Sequence, residues 1–126
     1  MRTIFTTLLF LGIFFTAAVA QTDTNGQPKL NEDGTTTLVV HTQIHCDHCD
    51  RCGSCKPRIE NGVKIKKGIK SVTLDSEAQT ITVVYKPKKT DPVMIRQAIA
   101  ATGFDADDVK ATKAGYDALD GCCKKH

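Results

Sequence analysis

The chain has few aromatic residues and no large excess of charge of either sign. Its 126 residues include no Trp, two Tyr and five Phe, and 17 Lys and Arg against 14 Asp and Glu give a formal net charge of +3. No aromatic side chains are interleaved with the lysines, which are scattered along the chain. Nucleic-acid-binding proteins concentrate basic residues on one surface, so we expect no nucleic acid among the partners. No internal repeat is visible, and the length favours a single domain.

Long hydrophobic runs are absent except at the N-terminus, where residues 4–15 are apolar. Arg2 precedes this run and a small-residue ending follows it at 18–20, which predicts a cleaved secretory signal over residues 1–20. The run is shorter than the ~20 residues of a membrane-spanning helix. No cysteine occurs before Cys46, so a lipid-anchored N-terminus is not indicated. We therefore expect an exported protein, periplasmic or secreted, without a stable membrane anchor after cleavage.

All six cysteines lie after the predicted signal, and they are clustered. Four recur at every third position in the run His45-Cys46-Asp47-His48-Cys49-Asp50-Arg51-Cys52-Gly53-Ser54-Cys55, and the others are adjacent, at Cys122-Cys123. An even number of cysteines in an oxidising compartment is compatible with a disulfide framework. Disulfides usually join distant parts of a chain, so this clustering favours metal binding or thiol redox chemistry instead.

Hydrophobic periodicity predicts the order strand, helix, strand, strand, helix, strand. The predicted strands cover residues 36–44, 69–74, 80–85 and 105–109. The first predicted helix begins at Lys56-Pro57 and ends near Gly68, and the second begins at Asp91-Pro92 and ends near Gly103. Thr112 is predicted to cap a short last helix. This order is the split βαβ arrangement of a ferredoxin-like α+β fold, an antiparallel four-stranded sheet with two helices on one face. Residues 21–35 are predicted to form a flexible leader, and residues 111–126 a C-terminal extension.

Residues 36–110 resemble the heavy-metal-associated domain, the module of copper chaperones and periplasmic mercury-binding proteins. The resemblance rests on Cys52-Gly53-Ser54-Cys55 before the first helix, followed by Ile59-Glu60, Gly68-Ile69 and Gly103-Phe104. It implies the ferredoxin-like fold and a soft-metal site whose primary ligands are Cys52 and Cys55. It also leads us to expect Phe104 to pack near the cysteine loop and to shield a bound ion.

The chain departs from the pattern of this family by a second C-x-x-C. Cys46 and Cys49 are expected to be additional ligands, and His45 and His48 optional ones. Cys122-Cys123 lies outside the family pattern. We interpret this pair as a second soft-metal patch or as a segment that docks onto the main loop, the alternative being a frayed tail with a reactive thiol pair.

These residues predict a non-enzymatic protein that binds a soft or borderline metal ion. Cu(I) is favoured, with Zn(II) and Hg(II) as alternatives, because thiolate and imidazole suit such ions. The protein would sequester the ion or hand it to a partner such as a metal transporter.

Three other functions fit the sequence less well. A thiol-disulfide oxidoreductase would use Cys52 and Cys55, but the chain lacks the longer α/β pattern of thioredoxin-like proteins. An iron–sulfur carrier is disfavoured by the cysteine spacing. A structural zinc site is disfavoured because the apolar strands and helices look sufficient to fold without metal.

Overall fold

The computed structural model describes residues 26–46 and 53–124. Within these ranges the sheet is antiparallel and four-stranded, in the order β1-β2-β4-β3. The elements in chain order are β1 (Lys29–Leu30), β2 (Thr36–His41), α1 (Cys55–Lys64), β3 (Ile69–Asp75), β4 (Thr80–Tyr85), α2 (Pro92–Ala101), α3 (Lys113–Asp117) and a 3-10 helix (Gly121–Cys123). Side chains of α1, α2 and the sheet share one core. The predicted ferredoxin-like fold class is confirmed.

The three longer strands form the sheet side of this core through an alternation of buried and outward residues. In the central pair Leu38 lies opposite Val83 and Val40 lies opposite Ile81, and all four side chains are fully buried. Strand β3 pairs with the other side of β4, as the predicted hairpin requires. Each fully buried Val, Leu or Ile side chain contributes about 1.5–3 kcal/mol relative to an exposed one, so these positions set the register of the sheet.

Both longer helices begin where the sequence predicts. The Asp91 side chain accepts a hydrogen bond from the Met94 N–H at 2.9 Å, and Pro92 is the first residue of α2. In α1, Gly62 allows close packing against α2, because a Cβ there would lie 2.7 Å from Cγ2 of Thr102. Helix α1 ends at Lys64, and Gly68 turns the chain into β3 with a φ of 88°.

Strand β3 is an edge of the sheet, and α1 covers part of that edge. The Glu60 side chain reaches from α1 and accepts a hydrogen bond from the Leu74 N–H at 3.2 Å. Lys56, one turn earlier on the helix, lies 3.7 Å from the Glu60 carboxylate. At the start of the strand the pairing with β4 shifts between Ile69 and Ser71. The Glu60 carboxylate therefore accepts a hydrogen bond from a backbone N–H at the edge of β3 that no neighbouring strand accepts.

The predicted strand over residues 105–109 is wrong, because the chain turns there. Asp107 has a φ of 54°, and Ala106 and Val109 on either side of it pair with each other. Such a left-handed residue is incompatible with an extended strand. The turn still reaches β2, since Asp107 donates its N–H to the His41 carbonyl and accepts the His41 N–H on its carboxylate, both at 2.8 Å.

The outer position beside β2 is occupied instead by Lys29–Leu30, which lie inside the predicted flexible leader. Lys29 pairs with Thr37 and Leu30 with Thr36. The turn between the two strands contains Gly34 at a φ of 77°, as the Asp-Gly pair suggests. Two residues are too few for an alternation of apolar and polar side chains, so the periodicity of the sequence does not reveal this strand.

Residues 111–124, the described part of the C-terminal extension, are fixed to the end of α2. The predicted cap is confirmed, since the Gly115 N–H donates to the Thr112 hydroxyl at 3.1 Å. Gly115 lies so close to the end of α2 that an added Cβ would be 2.5 Å from the Ala101 carbonyl oxygen and 2.7 Å from the Gly103 nitrogen. Leu119 follows α3 and is 5% exposed within the core. Backbone contact and apolar burial together hold this segment.

A disulfide joins the 3-10 helix to α1. It links Cys123 to Cys55 across 68 positions of sequence, with 6.4 Å between the two Cα atoms. The expectation that these cysteines form no disulfide staple is wrong for this pair. The fold brings together two cysteines from separate clusters, and spacing along the sequence does not show that proximity.

Opening this disulfide is predicted to destabilise the protein by about 4 kcal/mol, because the bond closes a long loop and so restricts the unfolded chain. The measurement is urea unfolding of the wild-type protein with and without a dithiol reductant. The urea midpoint of Cys123→Ser should equal that of the reduced wild type and should not change when the reductant is added. The midpoint of Cys122→Ser should fall on reduction as that of the wild type does. A wild-type midpoint that the reductant leaves unchanged would contradict the prediction.

Candidate metal site

Cys55 is the first residue of α1 and is completely buried. Ser54 precedes it as the N-cap, and the Ser54 carbonyl accepts the Arg58 N–H at 3.1 Å in the first helical turn. A helix N-terminus stabilises negative charge, including that of a thiolate. In the structure the Cys55 sulfur is bonded to Cys123 instead.

The two adjacent cysteines of the extension have different surroundings. Cys123 is 2% exposed and belongs to the hydrophobic core, whereas Cys122 is exposed. Their sulfur atoms lie 3.9 Å apart. Of this pair, Cys123 contacts the last cysteine of the main loop, Cys55, through a disulfide bond.

A cavity of about 350 Å³ adjoins Cys123. Its lining includes His45, Phe104, Asp105, Lys110, Tyr116 and Cys123. Phe104 is buried and forms part of the wall beside Cys123, near the start of the cysteine loop as expected, whereas His45 is exposed. Cys46, the next residue, is partly buried and packs against the core. Shielding of a bound ion by Phe104 remains a prediction.

Asp105 organises the polar side of this cavity. Its carboxylate accepts hydrogen bonds from the Lys110 ammonium and the Ala111 N–H, both at 2.8 Å. Burial opposes ionisation, but the Lys110 and Ala111 hydrogen bonds and the charges of Lys110 and His45 outweigh it, so the pKa of Asp105 lies below its usual 3.8. Sequence reasoning missed Asp105 and Lys110, because no motif marks them.

Several predicted ligands cannot be placed. Cys49, Cys52 and His48 lie outside the described residues. Within residues 26–46 and 53–124, no three His, Cys, Asp or Glu side chains are grouped as a metal site. The structure thus brings together Cys55, Cys123 and the neighbouring Cys122, and the full ligand set remains a prediction. No helix in the described part of the chain has the length and hydrophobicity of a membrane span.

In this ferredoxin-like domain the first long helix begins at a cysteine, and another cysteine stands three positions earlier in the sequence, which is a pair of donors that suits soft metal ions. The sequence pattern of the heavy-metal-associated domain matches residues 39–105. The chain belongs to this family, and heavy-metal binding or transfer is the activity that membership indicates. A search of curated proteins found no match.

Several solved structures are similar to this chain in fold. Oxidised MerP from Ralstonia metallidurans CH34 is 18% identical with a TM-score of 0.50, over 58% of this chain and 94% of that one. The CopZ metallochaperone is 21% identical with a TM-score of 0.49, over 56% and 97%. A copper binding domain from HMA7, a P-type ATPase, is 18% identical with a TM-score of 0.49, over 56% and 89%. At these identities the likeness concerns the fold alone.

Asp105→Asn is predicted to lower the free energy of unfolding at pH 7 by about 1 kcal/mol, since it removes a charge-assisted contact. Because the folded pKa lies below 3.8, the carboxylate's contribution is present above that pH and is lost as pH falls through the folded pKa. Wild type and variant should therefore converge in urea unfolding near pH 2. Asp108→Asn, at an exposed position, is the control. A constant difference from pH 7 to pH 2 would contradict this account.

Proposed function

We propose that this protein is an exported carrier of soft metal ions, which holds Cu(I) in cysteine thiolates and passes it to a protein partner. The observation that carries the proposal is the position of Cys55, the second cysteine of the C-x-x-C inside the family match, at the first residue of α1. A thiolate there is stabilised by the helix N-terminus and competes well for soft cations. Zn(II) and Hg(II) are alternative ions for the same donors.

The proposed primary ligands are Cys52 and Cys55, with Cys46 and Cys49 as additional ligands and His45 and His48 as optional ones. The partly buried position of Cys46 against the core supports its inclusion, because it begins the loop near the domain rather than in open solvent. His45 is exposed beside the cavity and is accessible to an ion. A donor set of several thiolates favours soft ions over Mg²⁺ or Ca²⁺.

Delivery to a partner is the proposed use of the bound ion, and a metal transporter is the proposed partner. Two thiolates hold Cu(I) in a nearly linear arrangement, and a thiolate from a partner then adds as a third ligand before the ion moves across. Membership of the heavy-metal-associated family, which indicates heavy-metal binding or transfer, supports the proposal of a partner that accepts the ion. The predicted signal at residues 1–20 supports an extracytoplasmic site of action.

The disulfide favours a second candidate, a thiol-disulfide oxidoreductase, because Cys55 takes part in a bond that such an enzyme would exchange. An enzyme must open its disulfide at every turnover, and exchange requires an attacking thiolate to reach a sulfur. Here both bonded residues are buried, at 0% exposure for Cys55 and 2% for Cys123. A carrier needs an open disulfide only while metal is bound. Burial of the two sulfurs therefore counts more against the enzyme than against the carrier.

The test is anaerobic titration of the reduced protein with Cu(I) and with Zn(II), followed by native mass spectrometry. The double variant Cys52→Ser with Cys55→Ser is predicted to lose at least about a hundredfold in Cu(I) affinity, or about 3 kcal/mol, because both primary thiolates are gone. A matched control is Cys122→Ser, which changes an exposed cysteine outside the family match.

Two results would overturn the carrier. One is equal Cu(I) affinity in the double variant and the wild type, measured against a common competing chelator. The other is absence of bound metal together with fast reduction of a disulfide substrate that depends on Cys55, which would favour the oxidoreductase.

A further inference from the structure

We propose that the end of this domain opposite Cys55 binds the surface of a membrane that contains anionic phospholipids. The contact is peripheral and reversible, and it goes beyond the proposed function because it does not depend on metal. We call this region the lysine end. Its charged members are six exposed lysines, Lys64, Lys66, Lys67, Lys86, Lys88 and Lys89.

The fold brings together the two segments that carry these lysines, residues 64–67 and 86–89, although they are far apart in the sequence. The Lys86 N–H donates to the Gly68 carbonyl at 2.8 Å. Gly68 also lies so close to Lys89 that an added Cβ would be 2.7 Å from the Lys89 Cβ. The lysines are scattered along the sequence, so only the folded chain reveals that they share one end of the domain.

The lysine end and Cys55 lie at opposite ends of the domain. Helix α1 begins at Cys55 and ends at Lys64, and ten helical residues span about 15 Å. In the sheet, Tyr85 pairs with Ile69 beside the lysine segments, whereas the other end of β4 pairs with His41. A surface that holds the lysine end therefore leaves the first turn of α1 on the far side of the domain.

The lysine end has an excess of positive charge. None of its six lysines forms an ion pair with another residue in the described part of the chain. Glu32, Asp33 and Asp91 also lie at this end, but the lysines outnumber them, and Asp33 and Asp91 already accept backbone N–H groups. The end as a whole therefore attracts anions.

Lysines toward the other end of the domain are paired with carboxylates. Lys56 lies 3.7 Å from the Glu60 carboxylate, and Lys110 lies 2.8 Å from that of Asp105. Asp75, where β3 turns toward β4, adds negative charge there. An anionic surface therefore attracts the lysine end in preference to the other, although the formal net charge of the chain is only +3.

Exposed apolar side chains occur at the lysine end as well. Ile65 lies between two of the lysines and is 78% exposed, and Val93 and Met94, in the first turn of α2, are 60% and 56% exposed. Lysines combined with exposed aliphatic side chains are typical of surfaces that bind at a membrane interface. There the ammonium groups contact lipid phosphates, and the apolar groups enter the headgroup region.

A nucleic acid fits this end less well than a lipid surface. Residues 61–74 and 86–94 contain no aromatic side chain on which a base could stack. A soluble acidic protein would pair with the lysines, but such pairing gives no use to the exposed side chain of Ile65. The contribution of Ile65 to binding therefore separates a membrane from a soluble polyanion.

The experiment is co-sedimentation of the predicted mature protein, residues 21–126, with lipid vesicles. This chain includes every described element and leaves out the apolar residues 4–15, which would bind lipid themselves. One set of vesicles is phosphatidylcholine alone, and the other contains phosphatidylcholine and phosphatidylglycerol in equal amounts. We expect binding to the anionic vesicles to be at least about tenfold tighter and to weaken as NaCl is added, because salt screens exposed charges.

The triple variant Lys64→Gln, Lys66→Gln, Lys67→Gln should bind the anionic vesicles on the order of a hundredfold more weakly than the wild type. Its matched control is Lys56→Gln, Lys113→Gln, Lys124→Gln, which removes the same charge away from the lysine end and should retain most of the binding. Ile65→Ser should weaken binding about tenfold through loss of apolar contact. Urea unfolding checks that each variant is folded.

Equal binding of the wild type to both kinds of vesicle would overturn the proposal, as would an equal loss in the triple variant and its charge-matched control. Soluble polyglutamate is the competing probe. Tighter binding to polyglutamate than to anionic vesicles, together with no effect of Ile65→Ser, would assign the lysine end to an acidic protein instead. Cu(I) affinity of the reduced protein enters none of these comparisons, so failure here is distinct from failure of the carrier.

Discussion

The contact between Gly103 and Gly115 holds the described part of the C-terminal extension against the end of α2. A Cβ on Gly103 would lie 2.5 Å from the Gly115 carbonyl oxygen, so only backbones approach this closely. Gly103 also has a φ of 104°, which reverses the chain as α2 ends. Because the extension is held there, Leu119 enters the core and Cys123 meets Cys55. A family domain thus acquires an added wall beside its cysteine loop.

In the proposed carrier, the sulfur atom of Cys55 has two uses, in the disulfide that stabilises the fold and in the binding of metal. While Cys55 is bonded to Cys123 it stabilises the fold and is unavailable as a ligand. Once reduced, it gives up the loop closure and regains the donor properties of a thiolate at a helix start. The cavity lined by Phe104 and Tyr116 lies on the same side of the domain as Cys123. Side chains of both the domain and the extension therefore line this cavity.

Local signals in the sequence predicted most of the fold. Asp91 and Thr112 cap their helices as expected, because capping depends on residues three apart. The predicted strand at 105–109 failed because a left-handed Asp107 is set by its long-range contacts with Arg96 and His41. The site was predicted less fully. Its cysteines are evident from their spacing, but the Cys55–Cys123 pairing and the Asp105–Lys110 contact depend on tertiary proximity that no local pattern encodes.

The Glu60 carboxylate on the edge of β3 has a consequence for the behaviour of this protein in a crowded compartment. An exposed strand edge invites a strand from a second molecule, which is a route to aggregation. Here Glu60 occupies the Leu74 N–H, the pairing shifts between Ile69 and Ser71, and Lys70 between them is exposed. Each feature raises the energy of adding a foreign strand. The sheet of this domain therefore resists joining that of another copy.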